Sequence, residues 1–101
     1  MKTRLELQNK LEELLGFRHV YYQPPESVKM EYPAIRYSKS MIRSQEANNG
    51  TYIENERYEI TVIDKKPDNP VIKKLLALPH CGYERQYRAD NLNHDVLTIY
   101  L

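Results

Sequence analysis

The sequence predicts an α+β domain, two helices packed on a mainly antiparallel sheet, in the order α-β-β-β-α-β-β. Three observations carry this. Two segments space apolar residues as helices do, several space them as strands do, and an Asn-Gly turn signal joins the two longest strands. The chain has 101 residues, enough for one domain (1–101) and too few for two.

The first helix is expected over Thr3 to Leu15. Leu7, Leu11, Leu14 and Leu15 share one face, Thr3 with Glu6 fits a capping box, and Gly16 fits a C-terminal stop. "HVYY", ending at Tyr22, reads as a short strand. Pro24, Pro25 and Pro33 then hold "QPPESVKMEYP" extended.

Two long strands follow. "AIRYSKSM" places Ile35, Tyr37 and Met41 on one face, and "RYEITVID" places Tyr58, Ile60 and Val62 on one face. "NNG" at Asn48 to Gly50 is a hairpin signal, because Asn-Gly accepts positive φ. With Asn49-Gly50 as the turn, Tyr37 pairs with Val62 and Met41 with Tyr58. Lys39 then falls opposite Ile60, a misfit that a bulge or a longer loop would repair.

Asp68 or Asn69 caps a second helix, with Pro70 in its first turn and Pro79 at its end. Val71, Ile72, Leu75, Leu76 and Leu78 are expected to face the sheet. "CGYERQYR" and "VLTIYL" form the last two strands, joined by "ADNLNH".

The long hairpin is too long for the body. Each arm, Ala34 to Ala47 and Thr51 to Asp64, would extend about 46 Å at 3.3 Å per residue. A compact chain of this length has a diameter of about 34 Å. The far end, "IRSQEANNGTYIEN", is polar and cannot form a core. It is either a surface loop or an arm that orders against a partner. The last strand gives a second clue, since Leu97, Ile99 and Leu101 on one side and Val96 and Tyr100 on the other make both faces largely apolar. Helices cover one face, and the other is covered by the rest of the chain or by another subunit; the alternative is that helices of the same chain provide all the cover.

Composition narrows the function. Apolar content of 41%, charge of 29% and a net charge of +1 suit a globular domain with no global field for nucleic acid or membranes. No apolar run approaches the roughly 20 residues of a membrane span. The acids within "MKTRLELQNKLEELLGF" argue against a signal peptide. A single cysteine, Cys81, leaves no internal disulfide and no multi-cysteine metal site, and points to a reducing cytoplasm. Nine tyrosines stand against one Phe and no Trp, which suits strands, core edges or contact surfaces.

Chemical candidates are weak. His80, Cys81, His94 and Asp95 match no zinc spacing, and neighbours along a strand face opposite ways. A Cys81–His94 nucleophile pair across the final hairpin lacks any activating signature. Cys81 reads more simply as a small core residue. Arg36, Lys39, Arg43, Arg57, Arg85 and Arg88 among tyrosines describe an alternative, a small single-strand nucleic-acid module, but Glu54, Glu56, Glu59 and Glu84 are interspersed. No catalytic residue, metal or cofactor is expected.

"VYYQPPESVKMEYPAIRYS", "RYEITVIDKKPD" and "LALPHCGYERQYRADNLNHDVLTIYL" resemble a family of small proteins from tailed-phage and prophage structural gene clusters. These are the tail completion, tail terminator or head–tail joining proteins. The likeness runs over most of the chain from Val20 onward. It implies a non-enzymatic α+β subunit of the virion, assembled in the host cytoplasm into a ring, commonly a hexamer. That ring joins the tail tube protein to the head connector, either as tail terminator or as head-side stopper or adaptor. Contact surfaces then do the work, and the candidate interface residues are Arg43, Gln45, Glu46, Asn48, Asn49, Tyr52 and Glu54 on the arm, with Tyr100 on the last strand.

Overall fold

A computed structural model describes the backbone of residues 3–46 and 52–101, and their side chains except for 41–46 and 52–55. The elements are α1 (Arg4–Leu15), β1 (Val20–Tyr22), β2 (Ala34–Glu46), β3 (Tyr52–Asp64), α2 (Val71–Leu76), β4 (Cys81–Ala89) and β5 (Leu92–Tyr100). Their order is the one the sequence predicts. The strands form one five-stranded sheet, β1-β2-β3-β5-β4, in which only β1 runs parallel to its neighbour.

Local chemistry sets the ends of α1. Thr3 is extended, and its Oγ1 accepts the Glu6 N–H at 3.2 Å, satisfying one of the donors a helix start leaves free. Gly16 ends the helix with φ of 83° and donates its N–H to the Glu12 carbonyl at 3.0 Å. A Cβ there would meet nothing, so it is the left-handed backbone that favours glycine. Leu7, Leu11 and Leu15 are buried against the sheet, with Leu14 packed beside them.

In the long hairpin, the structure corrects the pairing expected from an Asn49-Gly50 turn. Tyr37 lies opposite Ile60 and not Val62; Ile35 takes Val62. Met41 lies opposite Arg57 and not Tyr58, and Lys39 takes Tyr58. The shift has two steps. Glu46 opposite Tyr52 already departs by one residue from the register of an Asn49-Gly50 turn, which itself lies outside the described residues. A one-residue bulge at Ser40 adds the second, moving Lys39 from Ile60 to Tyr58. Ile35, Tyr37, Tyr58, Ile60 and Val62 thus share the core face with Leu97 and Ile99.

The second helix is short, at six residues. Asn69 caps it: its Oδ1 accepts the Val71 N–H at 2.9 Å, while its Nδ2 donates to Asp64 at 2.7 Å. Val71 and Leu75 are buried and Ile72 and Leu78 half-buried, but Leu76 is 40% exposed and does not join the core. Val71 and Leu75 lie four apart on one face; Leu76 is turned about 100° from Leu75.

The final connection is tighter than "ADNLNH" suggested. Ala89 pairs with Leu92, so the turn is Asp90-Asn91 alone, with φ of 53° and 61°. Two positive φ values fit a two-residue hairpin turn, and Asp and Asn tolerate that conformation. Asn93, His94 and Asp95 are strand residues, and β5 is an interior strand between β3 and β4.

Both faces of β5 are covered, each differently. Leu97 and Ile99 join the helix-side core. On the opposite face Ala34, Thr61, Ile63, His94 and Val96 are also buried. There Pro24, Pro25, Val28, Met30 and Tyr32 share a cleft of about 320 Å³ with Ile63 and His94, so the Pro-rich segment of the same chain shields part of this face.

The hairpin outruns the sheet. Pairing with β1 ends at Tyr37, and pairing with β5 ends at Arg57. From Met41 to Glu46 and from Tyr52 to Glu56, β2 and β3 pair only with each other. The long dimension is 52 Å, against 29 and 23 Å for the others. That exceeds the diameter of about 34 Å expected of a compact chain.

Candidate functional site

The arm is a two-stranded ribbon anchored at its root. Arg43 pairs with Asn55, Ser44 with Glu54, Gln45 with Ile53 and Glu46 with Tyr52. The register therefore gathers Arg43, Gln45, Glu46, Tyr52 and Glu54 of the expected interface along one ribbon. Asn48 and Asn49 lie outside the described residues. Tyr100, 37% exposed, is opposite Arg57 where the flanking strand ends, so it marks the root and not the tip.

Polar contacts fix that root. Tyr58 donates its hydroxyl proton to Glu56 at 2.6 Å, Lys39 lies 3.5 Å from the same carboxylate, and the Leu101 N–H bonds to the Glu56 carbonyl at 2.9 Å. The Tyr58 hydrogen bond, aided by Lys39, holds the Glu56 carboxyl below its usual range. Burial, then the Glu56 contact, pushes the Tyr58 phenol well above the usual tyrosine range. The Ser40 hydroxyl closes the bulge by donating to the Arg57 carbonyl at 3.2 Å.

Behind this root stands a tyrosine cluster that the sequence reading did not single out. The Tyr22 and Tyr37 rings are 4.9 Å apart, and Tyr58 is 6.1 Å from Tyr37. Arg4 lies over Tyr22 at 4.4 Å and donates to the Tyr37 hydroxyl at 3.1 Å. Tyr37 donates in turn to Gln8, whose amide donates to the Val20 carbonyl at 3.2 Å. The first turns of α1, β1 and the arm's root are thereby joined. The available signal was the abundance of tyrosine at alternating strand positions, but pairing Tyr37 with Val62 concealed how near Tyr37 and Tyr58 lie.

The chemical candidates separate. Cys81 pairs with Ile99 and His94 with Tyr87, five positions apart along β5, or about 17 Å. Cys81 packs beside the helix-side core, while His94 is on the other face, stacked on Tyr87 at 4.6 Å. Burial raises the Cys81 thiol pKa, which lowers its thiolate fraction. Among the described residues no three His, Cys, Asp or Glu side chains group around a metal-sized space. None of their helices is long and apolar enough to cross a membrane.

A cleft of about 530 Å³ lies between α2 and the β4–β5 hairpin, bordered by Asp68, Asn69, Lys73, Tyr83, Gln86 and Asp95. Tyr83 donates to the buried Asp95 at 2.7 Å, and this bond pushes its phenol up to about 12. The aromatic platform of the nucleic-acid alternative is divided: Tyr37 and Tyr58 are buried, and Tyr87 spends one ring face on His94. No family model and no curated protein matches the chain.

Proposed function

We propose that the chain is a non-enzymatic virion subunit that assembles as a ring at the head-proximal end of a phage tail and joins tail to head. Its partners are then further copies of itself, the tail tube protein and the head connector. The observation that carries this reading is the arm. Among the described residues no third strand flanks Met41–Glu46 or Tyr52–Asn55, which leaves outward main-chain donors and acceptors of this ribbon open beyond the Glu56 carbonyl that Leu101 takes. An isolated two-stranded ribbon is marginal in water, so an arm held at its root suits ordering against a neighbour. The resemblance of the segments from Val20 onward gives that neighbour its identity.

The test is solution mass by light scattering at rising concentration, alone and with tail tubes purified from a phage whose structural gene cluster encodes this chain. Ring-sized mass, or decoration of one tube end, supports the reading. A strict monomer that also leaves tubes undecorated contradicts it.

A further inference from the structure

Resting on that ring-subunit reading, we propose that the open edge of β4 pairs, strand to strand, with the β2 side of the arm of a second copy. β4 is an edge strand that, among the described residues, pairs only with β5, and Gly82 to Arg88 are all exposed. A register shift at Glu84 leaves Arg85 to Ala89 as its uninterrupted run. In a two-residue hairpin the pair flanking the turn exchanges hydrogen bonds, so Ala89, Tyr87 and Arg85 spend theirs on β5. Gln86 and Arg88 direct theirs away from the sheet.

The arm offers a matching edge. Before the bulge the odd residues of β2 face outward, since the Ile35 N–H bonds to His19, the Tyr37 carbonyl to Gln23, and the Lys39 N–H to the Gln23 side chain. The extra residue at Ser40 inverts this phase. Ile42, Ser44 and Glu46 then turn their main-chain groups outward, in agreement with the Glu56 carbonyl, opposite Ile42, reaching Leu101 on the other side. Ile42 to Glu46 and Arg85 to Ala89 are runs of equal length, about 17 Å each.

Direction and symmetry select a second copy as the occupant. The pairings make β2 and β5 run one way, and β3 and β4 the other. Copies in one orientation, offset along the strands by about 30 Å so that β4 passes β1 and meets the arm, therefore bring β4 antiparallel to the next β2, the better bonded arrangement. Such a contact uses two different edges, each once, and so propagates from copy to copy, giving a ring where the rotation between neighbours closes. Self-pairing of β4 would stop at a dimer and leave the arm unused. Tyr83, in register with Leu97, and Tyr87, in register with His94, stand on opposite faces of β4 at 46% and 37% exposure. They flank an incoming strand above and below.

The test is cross-linking of the full chain in a Cys81→Ala background with a short bismaleimide. The Ser44→Cys, Gln86→Cys double variant is expected to give a ladder of trimers and larger species. A mixture of the two single variants gives dimers only, and each alone gives almost none. Adding Arg88→Pro, which removes an outward N–H without breaking the β5 ladder, abolishes the double variant's ladder at an unchanged melting temperature. The contact is overturned by absence of a ladder up to about 1 mM, enough to populate even a millimolar contact. It is equally overturned by a ladder that survives Arg88→Pro, or by efficient dimers from Gln86→Cys alone. Should Arg88→Pro unfold the chain, the cysteine pair decides by itself. A ladder without tube binding keeps this contact and removes the tail function; tube binding without the ladder does the reverse.

Discussion

Lys39 lies opposite Tyr58, its ammonium 5.9 Å from the ring centroid and 3.5 Å from the Glu56 carboxylate that Tyr58 also holds. A lysine on the core face of β2 is thus provided for at the last position before the bulge, where the body ends and the arm begins. Tyr58→Phe removes the hydroxyl that bonds Glu56. It is expected to cost about 1 kcal/mol by urea unfolding, with Glu56 titrating nearer its ordinary value by NMR. In the parent the Glu56 carboxyl is lowered, so its contribution is present above pH 4.5 and lost as pH falls through the folded pKa. The variant loses less stability over that acid window. An unchanged Glu56 titration contradicts the assigned contact.

At the alkaline end the sign reverses. Tyr83 is raised from 10.0 to about 12 by its bond to Asp95, and Tyr37 and Tyr58 are raised by burial. Their protonated forms are favoured in the fold, so this stability is complete below pH 10. It falls as pH rises, for Tyr83 between 10 and about 12. Absorbance titration should show late-ionising tyrosines, and Asp95→Asn should return one of them toward 10. If all nine ionise together near pH 10 in the folded protein, the buried hydroxyl contacts are wrong.

The Asp90-Asn91 turn makes a third prediction. Both residues hold positive φ, which a β-branched side chain adopts only with strain. Asp90→Val should destabilise by about 1–2 kcal/mol, whereas Asn91→Gly should be neutral or stabilising. Thermal unfolding checks both, and an Asp90→Val protein as stable as the parent would refute the turn.

Cys81 should react slowly with thiol reagents at neutral pH and quickly in denaturant, because burial raises its pKa. Rapid alkylation in the native protein would indicate an accessible thiolate and restore interest in it as a nucleophile.

These details show what the sequence made legible. Thr3 and Gly16 carried their local signals, and α1 begins and ends where capping chemistry places it. Arm length gave away the overhang, because strand rise and domain size are both nearly fixed. Register was not legible past the turn. The pairing departs from the expected one by one residue at Glu46–Tyr52 and by a second at Ser40, and bulges leave no strong local mark. The fate of Asn93, His94 and Asp95 was misread for a related reason. Polar residues resemble a loop until pairing shows them on an interior strand, with His94 against Tyr87 and Asp95 bonded to Tyr83. What covers the second face of β5 was undecidable from pattern, because the Pro-rich segment that shields part of it is distant in sequence.

In the proposed function the arm serves assembly and not the core. Deleting Gln45 to Thr51 and closing with a short turn tests it most directly, with thermal unfolding and tail-tube decoration read on the same protein. The expected result is a melting temperature close to that of the parent, together with loss of ring formation or tube attachment. A chain that unfolds on deletion, or one that still decorates tube ends as the parent does, would contradict it.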